Sequence, residues 1–430
     1  MKYYSLNKKA PNISFKDAVI KGLAPDKGLY FPERITPLPK AFFDNIAHVS
    51  NSEIAFEAIK QFVSSEIPED ILKTIIEETL SFEFPIVELN ENISTLELFH
   101  GPTMAFKDVG ARFMARCLGY FNENNTNEVT VLVATSGDTG AAVANGFLGV
   151  NGVKVVILYP SGKVSDIQEK QLTTLGQNIS ALEVKGTFDD CQAMVKNAFL
   201  DENLTSKMQL TSANSINVAR WLPQLFYFMF AYKKLHTKYK DIVFSVPSGN
   251  FGNVCAGMMA QQLGLPIKHF IASNNENNVV TEYLNTQLYH PKPSLQTISN
   301  AMDVGNPSNF IRIQEIYKNK FDSLKENMSS FSFSDDETRA AILEIYSHYN
   351  YVADPHGAVG YLGCKAYLEN NANTHCVFLE TAHPTKFLDV VEGVIKTKQA
   401  LPKQIQSVIG KDKVATIIST YDEFRAFLLR

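Results

Sequence analysis

The sequence has 430 residues and is 45% hydrophobic, so it can bury a large core and exceeds the size at which one core keeps growing, which predicts two or three domains. Forty basic against forty-five acidic side chains leave a net charge of -5 without a lysine or arginine cluster, which excludes the electrostatic footprint of a nucleic-acid binder. The longest strongly apolar run, from Trp221 to Tyr232, is interrupted by Pro223 and Gln224 and falls short of the roughly 20 residues of a membrane span, so no membrane segment is expected.

Residues 1–95 mix turn signals (Gly22, Pro25, Gly28, Pro32) with helical patterns at 53–62 and 69–80, which predicts an N-terminal, mostly helical domain. Met1 to Ala10 has no apolar core that would serve as a secretion signal. From 96 onward strand and helix patterns alternate, as in parallel sheets with crossover helices. Residues 95–99 read as a strand, and a helical pattern runs from Val109 to Phe121. Strands at 129–134, 153–159, 179–184 and 208–212 alternate with helices at 141–148, 165–175 and 188–200, the second opened by a Ser165/Gln168 capping box. A long helix over 216–235 closes a first α/β domain, expected to span 96–235. A second, over 236–430, opens with a strand at 242–246, a glycine-rich turn, a helix at 253–263 and a strand at 267–272. A loop covers 286–310, and Ser334 with Glu337 caps a helix reaching Tyr349. A helix at 357–368, a strand at 376–380 and a helix opened by Pro384 precede a closing strand and helix in the tail.

Four loops at strand ends carry the candidate chemistry. In Phe99-His100-Gly101-Pro102-Thr103-Met104-Ala105-Phe106-Lys107-Asp108, Lys107 sits where a strand hands over to a helix; desolvation there would lower its pKa and free the amine as a nucleophile, although most single lysines are solvated. Ser248-Gly249-Asn250-Phe251-Gly252-Asn253 has the placement of a phosphate cradle at a helix N-terminus, or of a ligand-free β-to-α turn. Thr135-Ser136-Gly137-Asp138-Thr139-Gly140 offers hydroxyls and a carboxylate that serve an anion or simply cap a helix. Thr381 holds the equivalent place after the strand at 376–380. Open α/β sheets bind ligands beyond the carboxyl ends of their strands, so one crevice is expected to collect all four, and an amine, a phosphate cradle and a polar clamp are the parts that pyridoxal phosphate needs. Asn214-Ser215-Ile216-Asn217-Val218-Ala219-Arg220 adds a polar cluster whose arginine, beside Trp221, needs an anion or a salt bridge. The five cysteines (117, 191, 255, 364, 376) form no CxxC pair, which fits reduced thiols in a cytoplasm, and the histidines show no paired ligand spacing, so no metal is expected.

Taken together, these motifs, with Gly28-Leu29-Tyr30-Phe31-Pro32, Ser299-Asn300-Ala301-Met302-Asp303-Val304, Asp354-Pro355-His356-Gly357-Ala358 and Thr381-Ala382-His383-Pro384, resemble the threonine synthase family over nearly the whole chain. The resemblance implies a fold-type-II pyridoxal phosphate enzyme (tryptophan synthase β-like) that converts O-phospho-L-homoserine and water to L-threonine and phosphate. It implies that Lys107 is the Schiff-base lysine, that Gly249, Asn250, Phe251, Gly252 and Asn253 hold the cofactor phosphate, that Thr381 faces the pyridine nitrogen, and that Asp138 faces the 3'-oxygen. Ser136 and Thr139 match substrate-contacting positions, and Asn214, Ser215 and Arg220 match a segment holding the substrate phosphate. A serine or threonine dehydratase, or a β-replacing enzyme, would share the fold and lack a substrate-phosphate site. A small-molecule substrate, no nucleic acid or membrane partner, and a monomer or homodimer in the cytoplasm complete the expectation.

Overall fold

The computed structural model describes residues 1–123 and 128–430. Among the described residues thirteen strands run in chain order: β1 (Tyr3–Ser5), β2 (Tyr30–Pro32), β3 (Ile86–Glu88), β4 (Ile93–Glu97), β5 (Val129–Ala134), β6 (Val153–Pro160), β7 (Ile179–Val184), β8 (Gln209–Ser212), β9 (Ile242–Pro247), β10 (His269–Asn274), β11 (Met328–Ser332), β12 (His375–Glu380) and β13 (Thr416–Ile418). They form a five-stranded parallel sheet in the order β13-β7-β6-β5-β8, a six-stranded sheet in the order β11-β10-β9-β12-β4-β3, and a β1-β2 ribbon. In the six-stranded sheet only β3 runs antiparallel, against β4. β5, β9, β10 and β12 are buried along their whole length, as parallel strands covered by helices on both faces must be, and this is why they read as continuous apolar runs.

The sheets do not follow the expected segment boundaries. β4, placed by sequence at the head of the 96–235 domain, pairs with β12 from Ile93↔Cys376 to Glu97↔Glu380 and so belongs to the other sheet. β13, from the tail of the 236–430 segment, pairs with β7. Local periodicity identifies a strand but carries no information on a partner hundreds of residues away. The consequence bears on function: the loop carrying Lys107 rises from one sheet and the loop carrying Asp138 from the other, so a cleft between the sheets brings them together.

Both foreseen capping boxes, Ser165 with Gln168 and Ser334 with Glu337, are formed. The helix expected over 216–235 is broken into Val218–Trp221, a 3-10 turn Leu222–Gln224 and Leu225–Leu235, because Pro223 has no N–H to continue the ladder. The N-terminal segment is helical at Asn51–Val63 and Glu69–Thr79 but also holds the β1-β2 ribbon, and the region after 309 contains two helices and β11 that the apolar pattern did not single out. Among the described residues no helix is long and apolar enough to cross a membrane.

Candidate active site

Five loops that follow the carboxyl ends of β4, β5, β8, β9 and β12 line one cavity of about 310 Å³. Lys107 is the first residue of the helix Lys107–Asn122. Its loop is built by Asp108, whose carboxylate accepts the Thr103 N–H at 2.9 Å and the Thr103 hydroxyl at 2.5 Å, and by Met104, which takes a left-handed φ of 55°. Tyr227 donates its hydroxyl to the Phe106 carbonyl, and the Phe106 N–H donates to the Thr381 carbonyl at 2.8 Å, so the lysine loop and the end of β12 are tied together. The Lys107 amine borders the cavity and has no hydrogen-bond or ion-pair partner among the described residues. Burial lowers its pKa to about 8; Asp138 opposes that effect, while Lys386 and Arg220 reinforce it.

The turn after β9 leads into the helix Gly252–Gln262 with Phe251 in the left-handed region at φ 60°. A Cβ on Gly249 would stand 2.7 Å from the Ala301 carbonyl oxygen and 2.8 Å from Met302 Cα, so only glycine lets this backbone pass beneath the loop at 300–304. Gly252 has no positive φ, and its constraint is the nearby Asn309 and Ser215 side chains at 3.3 and 3.4 Å. The N–H groups of Gly249 through Asn253 find no acceptor among the described residues, whereas the side chains of Asn250 and Asn253 are used internally, accepting from Ser308 N–H and donating to the Pro247 carbonyl. Successive unpaired amides at the start of a helix fit a phosphate group.

In the loop after β5 the Thr135 hydroxyl accepts the Gly137 and Gly140 N–H groups at 3.0 and 2.8 Å, so Thr135 shapes the turn while Ser136 and Thr139 stay half-buried on the cavity wall. Gly137 takes φ 137°, and any side chain there would meet Gln168 at 2.5 Å. Asp138 is buried and is not on the cavity wall; Lys386 Nζ lies 2.6 Å from its Oδ1, and Gln168 Nε2 donates to the same oxygen at 2.9 Å. Burial by itself pushes this carboxyl up, but the charges of Lys386 and then Lys107 prevail and hold it well below the usual carboxylate range.

Arg220 is 3% exposed, donates from Nη1 to the Ala213 carbonyl at 2.6 Å, and has an unpartnered Nε. No carboxylate lies within ion-pair distance among the described residues, so the salt bridge open to it in the sequence is absent, and burial lowers its pKa to about 10. Asn214 donates to the Ala134 carbonyl at 3.1 Å, and the Ser215 hydroxyl accepts Asn309 Nδ2 at 3.2 Å. Thr381 is buried at the cavity edge with a hydroxyl that has no protein partner among the described residues. All the sequence-derived site residues except Asp138 therefore line the cavity.

Several neighbours were not picked out as site residues. Asp303 lines the cavity, where burial pushes its carboxyl up to about 6 against hydrogen bonds from Thr297 and Asn275. His356 also lines it; its Nε2 accepts the Ala301 N–H at 3.2 Å, and its Nδ1 bonds to Asp354 at 3.0 Å. Arg312 is fully buried with no carboxylate partner among the described residues, donating to the carbonyls of Tyr30, Ser215 and Ile216 with its guanidinium 4.3 Å from the Trp221 ring. Lys386, whose ammonium meets Asp138, is another. Arg312 and Lys386 have partners distant in sequence, so no local spacing marks them, whereas Asp303 and His356 lie inside the motifs at 299–304 and 354–358 but face the cavity only through the folding of those segments.

A family model described as "Pyridoxal-phosphate dependent enzyme" matches residues 85–380, one described as "Threonine synthase N terminus" matches 2–80, and one described as "Threonine synthase, C-terminal" matches 357–427. The threonine synthase of Buchnera aphidicola subsp. Baizongia pistaciae is 42% identical over 432 residues, covering 100% of both chains. The chain belongs to the threonine synthase family. The Escherichia coli threonine synthase crystal structure superposes with a TM-score of 0.94 at 39% identity, covering 100% of this chain and 99% of that one. A structure titled as threonine synthase with bound PLP, from Brucella melitensis, superposes with a TM-score of 0.92 at 32% identity, covering 100% and 98%. As a threonine synthase family member, the chain is a pyridoxal-phosphate-dependent lyase of threonine biosynthesis, with the fold-type-II architecture of that enzyme class.

Proposed function

We propose that this cavity turns O-phospho-L-homoserine and water into L-threonine and phosphate, with two phosphate subsites. The observation that carries the reading is Arg220: a buried guanidinium with no carboxylate partner among the described residues, lining the same cavity as the amide cradle of Gly249 to Asn253. One set of donors holds the phosphate of the cofactor, and Arg220 with Asn214 and Ser215 holds the phosphate of the substrate. A dehydratase acting on serine would have no use for the second.

Pyridoxal phosphate, when bound, spreads negative charge that develops on the substrate carbons. Lys107 holds it through its amine, Thr381 presents an uncharged hydroxyl to its ring, and Asp138 contributes a fixed negative charge behind the loop. Ser136 and Thr139, half-buried on the cavity wall, hold the substrate. Once free, the Lys107 amine would take the proton from Cα, hand it on to the bound cofactor, and, neutral again, take one from Cβ, for which a pKa near the working pH is suited. Arg220 stabilises the charge that gathers on the phosphate as it leaves Cγ, before water adds at Cβ. In this reading the N-terminal segment is tied to the substrate-phosphate loop by Arg312, which joins the Tyr30 carbonyl to those of Ser215 and Ile216 at 3.0, 3.2 and 2.7 Å. The enzyme works in the cytoplasm as a monomer or homodimer on small molecules alone. Release of phosphate from O-phospho-L-homoserine, compared with ammonia from L-serine and L-threonine, tests the proposal; faster turnover of serine would replace it with the dehydratase reading.

A further inference from the structure

Lys386 belongs to none of the site motifs, yet three site loops meet at its ammonium. It lies in the 3-10 turn Pro384–Phe387 that follows Thr381, and its side chain is fully buried. Its Nζ stands 2.6 Å from Asp138 Oδ1, at the head of the helix Asp138–Phe147, and donates to the Thr103 carbonyl at 2.9 Å, in the loop carrying Lys107. Gln168 and Gln171, on one helix, donate to the same two oxygens at 2.9 and 3.2 Å. One lysine thus links the loops after β4, β5 and β12, and with them both sheets.

The charged groups around the Lys107 amine are Asp138 from the β5 loop, Lys386 from the β12 loop and Arg220 from the helix Val218–Trp221. On the amine's own helix Asp108 is turned back onto Thr103, and on the helix Leu225–Leu235 the Tyr227 hydroxyl is given to the Phe106 carbonyl. Asp138 is the carboxylate that Lys107 and Lys386 share, and it is the Lys386 ammonium, not that of Lys107, that lies within ion-pair distance of it. A buried ammonium left without a counter-ion favours its neutral form.

We propose that Lys386 is a positioning residue: by pairing with Asp138 it removes the counter-ion that Lys107 would otherwise have, and so keeps the Lys107 amine neutral and nucleophilic. This rests on the reading of Lys107 as the cofactor lysine. Burial is the main cause of the lowered pKa of Lys107; of its charged neighbours, Asp138 opposes the lowering and Lys386 adds to it.

The test uses the full-length chain. After removal of bound cofactor, the rate at which added pyridoxal phosphate is captured is followed against pH, and borohydride trapping with mass spectrometry locates the adduct. In the parent protein the rate rises through a midpoint near 8, the pKa of Lys107. Lys386→Met frees Asp138 to pair with Lys107, so the midpoint moves up by about one pH unit or more. Lys386→Arg leaves it in place, and Lys386→Met combined with Asp138→Asn brings it back down. Lys386→Gln, which keeps an N–H donor for both oxygens, carries the same expectation as Lys386→Met should the latter fail to fold. A purely structural staple would lower stability without moving the midpoint. An unmoved midpoint in the uncharged variants, with the adduct still on Lys107, overturns this inference alone, as does a double variant that stays as high as Lys386→Met. An adduct on another residue of the parent protein overturns the assignment of Lys107 itself.

Discussion

Replacing Arg220 by methionine removes a buried charge while keeping most of the side-chain volume, and its effects on stability and on turnover should part company. Burial brings the guanidinium from 12.5 down to about 10, a penalty of roughly 3 kcal/mol on the charged form. Against this stands one charged hydrogen bond, to the Ala213 carbonyl at 2.6 Å, of about 1.5–3 kcal/mol. The two nearly cancel, so thermal unfolding should shift by no more than a few degrees, at roughly 2–4 °C per kcal/mol for a chain of this size or smaller. Turnover loses a charge-stabilising donor worth about 2.7–4 kcal/mol, which lowers kcat/KM for phosphohomoserine about 100- to 1,000-fold. The assay is continuous phosphate release, with residual serine deamination as the internal control, since serine brings no phosphate to the pocket. A large drop in Tm, or equal losses in both reactions, would refute the reasoning and make Arg220 a structural residue.

Gly249→Ala should weaken cofactor binding at least about tenfold by absorbance titration, because its Cβ meets backbone atoms of Ala301 and Met302 that cannot swing aside. Gly252→Ala, facing only side chains at 3.3 and 3.4 Å, should be milder. Acid should destabilise the fold through His383 and His269, whose pKa values burial lowers from 6.5 to about 4. Each contributes stability that is present above pH 6.5 and is lost as pH falls toward 4, up to roughly 3 kcal/mol. Denaturant midpoints measured across that window should fall with pH, and His269→Gln should flatten the fall.

The elements that local pattern predicts well are the buried parallel strands and the capped helices: β5 and β7 have the expected bounds, and both foreseen capping boxes are formed. What local pattern could not supply is partnership. That β4 sits beside β12 and β13 beside β7 follows from pairings between distant segments, and with them the fact that the lysine loop and the Asp138 loop come from different sheets. The same limit applies to the site. Lys107, the amide cradle, Ser136, Thr139 and Thr381 stand at strand ends in recognisable loops, and all border the cavity. Asp138 looks like a wall residue in its motif but is turned toward Lys386, a lone lysine 248 positions later whose role no spacing announces. Arg220 was open to a salt bridge or an anion in the sequence; only the packing around it leaves the guanidinium without a carboxylate partner among the described residues.

Borohydride reduction of the purified, cofactor-loaded chain, followed by peptide mass spectrometry, tests most directly the claim that this cavity is a pyridoxal phosphate site built on Lys107. The account predicts a yellow protein, a single pyridoxyl-modified peptide carrying the label on Lys107, and loss of both colour fixation and turnover in Lys107→Ala. Label on Lys386 or any other lysine, or none at all, would contradict it.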